Sequence, residues 1–178
     1  NYCDMGGDRD GATRSCAEVD MMEANRDALQ TALHTEAGGS FGSHQCDRIG
    51  CFARSGGENA PEARKERYGP GKGVIDSSRP FEVYASVDSA SGELAVRLSQ
   101  WSNGDHHELV TFDRHVGGNP QGTGVPSSAM EATRSAIHST GGLVLVASLW
   151  TSADMSWLSG RSCDRPCDID STSFTITK

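Results

Sequence analysis

The chain has 178 residues and lacks the features that mark membrane or nucleic-acid-binding proteins. No apolar run approaches the roughly 20 residues that a transmembrane helix needs. Positive charge is in deficit, with 16 Lys and Arg against 24 Asp and Glu, and no basic patch with interleaved aromatic residues occurs. The net charge of −8 disfavours nucleic acid and anionic membrane surfaces as partners and suits a neutral ligand.

Long helical patterns are also scarce, whereas glycine is abundant, with 21 residues. Apolar and polar residues alternate over 81–87 and 94–98, which predicts two strands joined by a turn at 89–92, with a polar turn at 101–107 and a third strand at 108–114. The apolar run 143–150 is typical of a central strand, and 174–177 of a closing strand. Residues 126–138 form the best helical pattern, ended by Gly141 and Gly142. A mildly helical pattern covers 25–34, and 37–73 is predicted to be a long loop with a helical turn after Pro61. This pattern predicts an all-β antiparallel two-sheet sandwich with one short surface helix.

Three carboxylates, those of Glu18, Asp20 and Glu23, occur within six residues. Side chains two apart on a strand share a face, so Glu18 and Asp20 lie together, whereas Glu23 has the opposite parity. A bulge or bend at Met21-Met22 would return Glu23 to that face. Glycoside hydrolysis needs such a cluster: a nucleophile, an acid and a neighbour that tunes the nucleophile. A solvated acidic edge strand is the alternative.

The six cysteines form an even set with short loops: Cys3, Cys16, Cys46, Cys51, Cys163 and Cys167. An even count in this pattern indicates disulfides and hence a secreted, extracellular protein. Zinc binding is the competing interpretation, but the C-x4-C and C-x3-C spacings without clustered histidines disfavour it.

Several segments, taken in order, resemble motifs of glycoside hydrolase family 7, the cellulases of fungi and some other eukaryotes. The acidic run resembles the E-x-D-x-x-E catalytic strand, and Ala24-Asn25 continues it. Other segments resemble the G-Y-C-D, Y-G-P-G, GGMVLVMSLW and M-x-W-L motifs, at 1–4, 68–71, 141–150 and 155–158. Family 16 glucanases share a similar catalytic strand, but the last three motifs favour family 7.

The resemblance implies a retaining β-1,4-glucan hydrolase that needs no cofactor and no metal. Glu18 would be the nucleophile, Glu23 the acid and base, and Asp20 the residue that tunes Glu18. The resemblance also implies four substrate-binding residues: His34, Trp150, Trp157 and Arg161. The family's sugar-binding arginine after the second cysteine has no direct counterpart, and Arg54, Arg64 or Arg67 are candidates to replace it.

The resemblance further implies a concanavalin-like β-jelly roll, with Cys3–Cys16 and Cys46–Cys51 as disulfides. Cys163 would pair with a cysteine of the N-terminal half, with Cys167, or with a cysteine of a second chain. Residues 1–178 correspond to the C-terminal half of one catalytic domain. We therefore expect a fragment or one half of a split protein, with a second polypeptide as one source of the other half. Shortened loops favour an open cleft. A catalytically silent glucan-binding or cell-wall scaffold protein on the same fold is the rival function.

Overall fold

The computed structural model describes residues 17–35, 46–47, 49–116, 124–150 and 155–160, and these are mostly β. The strands are β1 (Glu18–Ala24), β2 (Ala28–His34), β3 (Cys51–Gly56), β4 (Tyr68–Gly69), β5 (Ile75–Asp76), β6 (Glu82–Val87), β7 (Leu94–Ser102) and β8 (Asp105–Phe112). The helices are α1 (Glu62–Lys65), α2 (Ser127–Thr140) and α3 (Ser156–Ser159). This composition agrees with the predicted all-β class.

Two antiparallel three-stranded sheets, β1-β2-β3 and β6-β7-β8, carry the fold, and β4 and β5 form a short parallel pair. Apolar side chains of these strands, together with Cys46 and with Ala129 of α2, meet in two buried clusters. The first contains Leu33, Cys46, Cys51, Leu94, Val96, Phe112 and Ala129, and the second Leu29, Tyr68, Ile75, Leu98 and Leu109. The hydroxyls of Thr31 and Thr111 also lie 3.0 Å apart in this interior. The core therefore lies between β2 of the first sheet and β7 and β8 of the other.

Strand β2 replaces the helical pattern predicted over 25–34. That prediction was wrong because Leu29 and Leu33 are four residues apart, a spacing that places two side chains on one face of a helix and also of a strand. Asn25 settles the local conformation, since its Oδ1 accepts hydrogen bonds from the backbone N–H groups of Asp27 and Ala28, both at 2.9 Å. This side-chain turn sends the chain back antiparallel to β1.

The strands β6 and β7 and the turn between them are confirmed. The predicted turn over 101–107 is too long, because β7 continues to Ser102 and β8 begins at Asp105. Asn103 and Gly104 make the connection with φ angles of 54° and 89°, as a tight hairpin turn requires. The Asn-Gly pair was the sequence signal for it.

The loop predicted over 37–73 contains β3, which the alternation of the sequence does not reveal, and the predicted helical turn after Pro61 is α1. Helix α2 is confirmed, with Ala129, Thr133 and Ala136 on its buried side and Gly141 in the left-handed conformation at its end. A side chain at Gly92 would collide with the Met130 carbonyl, so this glycine lets the β6–β7 turn approach α2.

The run 143–150 is not a strand in the structure, contrary to the prediction, and all eight residues are exposed. Leu145 is 77% exposed and Val144 68%. A strand needs a hydrogen-bonded neighbour, and no described strand pairs with this run. The predicted closing strand at 174–177 lies outside the described residues.

Candidate active site

A β-bulge brings the three carboxylates of β1 to one face. Glu18 pairs with His34 and Asp20 with Ala32, but Glu23 pairs with Gln30, so three steps along β1 match two along β2. The bulge lies at Met21 and Met22, where the sequence predicted it. It gives Glu23 the parity of the other two carboxylates.

Thr31 lies opposite the bulge and holds it. Its Oγ1 is 3.0 Å from the backbone carbonyl oxygen of Met21, the first bulged residue, and the side chain is fully buried. The Thr31 hydroxyl donates to that carbonyl. A core-facing threonine on β2 therefore stabilises the irregularity on which the carboxylate face depends.

His34 contacts Asp20, with Nε2 3.1 Å from Oδ2. Gly50 packs against the same ring, since a Cβ at Gly50 would lie 2.5 Å from Cε1 of His34. The φ of Gly50 is +89°, a conformation that glycine adopts without strain. The family resemblance implies a substrate-binding role for His34, and the structure places its ring in contact with Asp20.

Glu23 is a carboxylate whose acidity is strongly altered by its surroundings. Burial, followed by the charge of Asp20, raises its pKa from 4.5 to about 7. A hydrogen bond from Gln30 and the positive character of His34 act in the opposite direction, and Glu18 adds a smaller upward effect. A carboxyl group with this pKa holds a proton for a substantial fraction of the time near neutral pH, as a general acid must.

Gln30 and Arg54 extend the face across the sheet. Gln30 lies opposite Glu23 on one side and Arg54 on the other, in the register of the three strands. The Gln30 Nε2 donates to Oε2 of Glu23 at 2.8 Å, and Arg54 Nε donates to Oε1 of Gln30 at 2.6 Å. Sequence reasoning missed Gln30. It reached Arg54 only as one of three candidates.

The three candidate arginines have different contacts in the structure. Arg64 donates to Ser55 Oγ at 3.0 Å and to the Val110 carbonyl at 2.8 Å, on the interior side of β3, so its role is structural. Nothing in the structure brings Arg67 to the carboxylate face. Of these three candidates, Arg54 is therefore the one that lies on the carboxylate face.

Aromatic rings continue the face beyond Arg54. The guanidinium carbon lies 4.5 Å from the ring centre of Phe52 and 5.7 Å from that of Trp157. Trp157 and Trp150 stack with ring centres 6.2 Å apart and an angle of 6° between planes. The two tryptophans that the sequence singled out thus form one stacked pair, with Trp150 47% exposed.

The Cys46–Cys51 disulfide is present and both cysteines are buried. The other predicted cysteines and the predicted sugar-binding arginine lie outside the described residues: Cys3, Cys16, Cys163, Cys167 and Arg161. Among the described residues, no group of three or more His, Cys, Asp or Glu side chains could hold a metal ion. No helix within the described ranges is long and apolar enough to cross a membrane.

Comparison of the chain with protein-family models, with curated proteins and with solved structures finds no match. The resemblance to family 7 thus depends on the motifs alone. What the described residues give is a class of site: a β-sheet face with three clustered carboxylates, one of them with a raised pKa, bordered by an arginine and a stacked pair of tryptophans.

Proposed function

We propose that the protein is a retaining glycoside hydrolase of the cellulase type that cleaves β-1,4-glucosidic bonds. The observation that carries the proposal is the bulge of β1, which gives Glu18, Asp20 and Glu23 one face, where burial and the charge of Asp20 raise the pKa of Glu23 to about 7. A retaining mechanism requires one carboxyl group that gives a proton to the leaving oxygen and a second that attacks the anomeric carbon.

In this mechanism, the Glu18 carboxylate attacks the anomeric carbon while Glu23 gives its proton to the departing glycosidic oxygen. The product of this step is a glycosyl ester on Glu18 and a shortened glucan. Glu23, now a carboxylate, takes a proton from water as the water oxygen attacks the same carbon and releases Glu18. Asp20, held by His34, supplies a neighbouring negative charge that raises the pKa of the acid.

The aromatic border of the site supports the proposed substrate class. A β-1,4-linked glucan presents flat C–H faces that stack on indole rings, with hydroxyl groups at the rim for hydrogen bonds. Trp150 and Trp157 offer such a surface, and Arg54 beside Trp157 offers donors. The net charge of −8 suits a neutral polysaccharide.

The remaining expectations belong to the same proposal. The sheets β1-β2-β3 and β6-β7-β8 would be part of a concanavalin-like jelly roll, and the Cys46–Cys51 disulfide is compatible with a secreted enzyme. A second polypeptide with the N-terminal half would supply strands beside 143–150. The exposed state of that run favours the rival proposal, a silent glucan-binding or scaffold protein, if no such partner exists.

The first experiment compares the intact mass of the native protein with and without reduction, followed by incubation with a soluble β-1,4-glucan. Release of reducing ends, with the β-anomer as the initial product by NMR, supports the proposal. Glu18→Gln should abolish turnover and leave glucan binding intact, whereas Glu62→Gln on the exposed helix α1 should not alter either. Binding without hydrolysis, unaffected by Glu18→Gln, would establish the scaffold function. No hydrolysis and no binding by any disulfide-linked form would overturn both.

A further inference from the structure

We infer that Gln30 is a positioning residue for Glu23, and that Arg54 sets the direction in which the Gln30 amide points. The catalytic consequence rests on the proposed function. The geometric part concerns the folded protein itself and can be tested without turnover.

The three residues form a row across the sheet. Glu23 on β1, Gln30 on β2 and Arg54 on β3 are successive partners in the strand register. Gln30 is only 6% exposed, so its amide has little access to water and must find its partners in the protein. Both of its polar atoms have one: Oε2 of Glu23 at 2.8 Å and Nε of Arg54 at 2.6 Å.

Arg54 decides which end of the amide faces Glu23. A glutamine amide can turn by 180°, and its oxygen and nitrogen are alike in size, so shape alone does not choose between the two orientations. A guanidinium has only donors, so the atom that faces Arg54 must be the amide oxygen. The NH₂ group then faces Glu23 and donates to Oε2. With Oε2 occupied as an acceptor, the proton of the acid form lies on Oε1.

The charged groups around Glu23 determine how loss of the Gln30–Glu23 hydrogen bond changes the pKa of Glu23. Glu18 and Asp20 on β1 oppose its ionisation, and His34 on β2 and the NH₂ of Gln30 favour it. Arg54 on β3 carries a charge that the Glu23 carboxylate stabilises. A donor to a carboxylate favours the ionised form, so its removal should raise the pKa of Glu23 further.

The test is a ¹³C NMR titration of the Glu23 side-chain carboxyl, assigned with Glu23→Gln. Gln30→Met keeps the length and apolar stem of the side chain and removes the donor. The Glu23 midpoint should rise by about one unit, the size expected for one hydrogen bond to a charged group. Arg54→Lys keeps the charge but loses the fixed donor fork, so a smaller rise is expected.

Gln100→Met is the matched control. Gln100 is also a buried glutamine, 4% exposed, but it lies on β7 in the other sheet and bonds to backbone groups of Asp76 and Pro80. Its loss should lower stability without a shift in the Glu23 midpoint. A folded Gln30→Met protein with an unchanged or lowered midpoint would overturn the inference. If Gln30→Met does not fold, Arg54→Met carries the same test, and an unchanged midpoint there is equally negative.

Kinetics separate this inference from the proposed function. In a hydrolase, the basic limb of the pH profile of kcat/KM reports the pKa of the general acid. Gln30→Met should therefore shift that limb to higher pH, by the same amount as the NMR midpoint of Glu23. A wild-type protein that shows no hydrolysis contradicts the proposed function and leaves the NMR result to decide the role of Gln30. An active Gln30→Met enzyme with an unmoved basic limb contradicts the positioning role alone.

Discussion

Gly50 is the residue through which the packing of the site can be tested most directly. A Cβ at this position would lie 2.5, 2.7 and 2.9 Å from Cε1, Nδ1 and Nε2 of His34, all closer than real Cβ contacts allow. Gly50→Ala must therefore displace the imidazole, whose Nε2 now lies 3.1 Å from Oδ2 of Asp20. We expect the substitution to lower the free energy of unfolding and to break the His34–Asp20 contact.

The magnitude has two parts, and a matched glycine separates them. Gly50 and Gly104 both have a φ of +89°, but nothing lies within 4 Å of a Cβ at Gly104. Left-handed backbone costs alanine about 1–2 kcal/mol, and this part should be common to both substitutions. The overpacking against His34 adds about 1–3 kcal/mol at Gly50 alone. Gly104→Ala should thus lose only the backbone part.

Urea denaturation of the two variants gives the difference in free energy, and NMR of the histidine rings reports on His34. We expect Gly50→Ala to be the less stable by at least about 1 kcal/mol, with altered His34 resonances, whereas Gly104→Ala should leave those resonances in place. Equal losses of stability in Gly50→Ala and Gly104→Ala, or unaltered His34 resonances in Gly50→Ala, would refute the claim that Gly50 packs against the His34 ring and positions it.

Three further predictions concern stability. The folded protein holds the Glu23 proton more tightly than the unfolded chain, because the pKa rises from 4.5 to about 7 on folding. The free energy of unfolding should therefore fall by about 3 kcal/mol as pH increases from 4.5 to 7. Urea titrations at several pH values measure this fall, and Glu23→Gln should remove most of it. Thr31→Val removes the hydroxyl that holds the Met21 carbonyl and should cost about 1–3 kcal/mol, with amide exchange at the bulge accelerated more than elsewhere in the first sheet. Replacement of both Cys46 and Cys51 by alanine opens a short buried loop and should cost roughly 2 kcal/mol, measured against the reduced wild-type protein to separate the bond from the side chains.

The carboxylate face was predictable because it depends on local parity. Glu18 and Asp20 differ by two positions and Glu23 by five, so a single extra residue in the strand is the smallest change that aligns all three. The structure has that bulge at the predicted dipeptide. Gln30 and Arg54 were not predictable in the same way, because their positions follow from the register of β1 with β2 and of β2 with β3.

The wrong predictions about the fold also arose because pairing between strands cannot be read from local sequence. A spacing of four residues, as between Leu29 and Leu33, does not distinguish a helix from a strand, and the decision came from the Asn25 turn and from pairing on both sides of β2. The run 143–150 shows the reverse case. Its composition is that of a buried strand, but composition cannot supply the neighbour that a strand requires, and the run is exposed.

The acidity of Glu23 depends both on the local geometry of β1 and on the pairing of β1 with β2. Its pKa is raised first by burial and then by Asp20, and it is lowered by Gln30 and His34, so the value near 7 results from opposed neighbours on two strands. The bulge is what places Glu23 among all of them, because without the extra residue its side chain would point to the core face between the sheets. Burial is the largest of these effects, so any chain segment that further covers this face would raise the pKa of Glu23 and strengthen its hold on the proton. The chemistry of the site therefore depends on the local geometry of β1 and also on how completely the sheet face is enclosed.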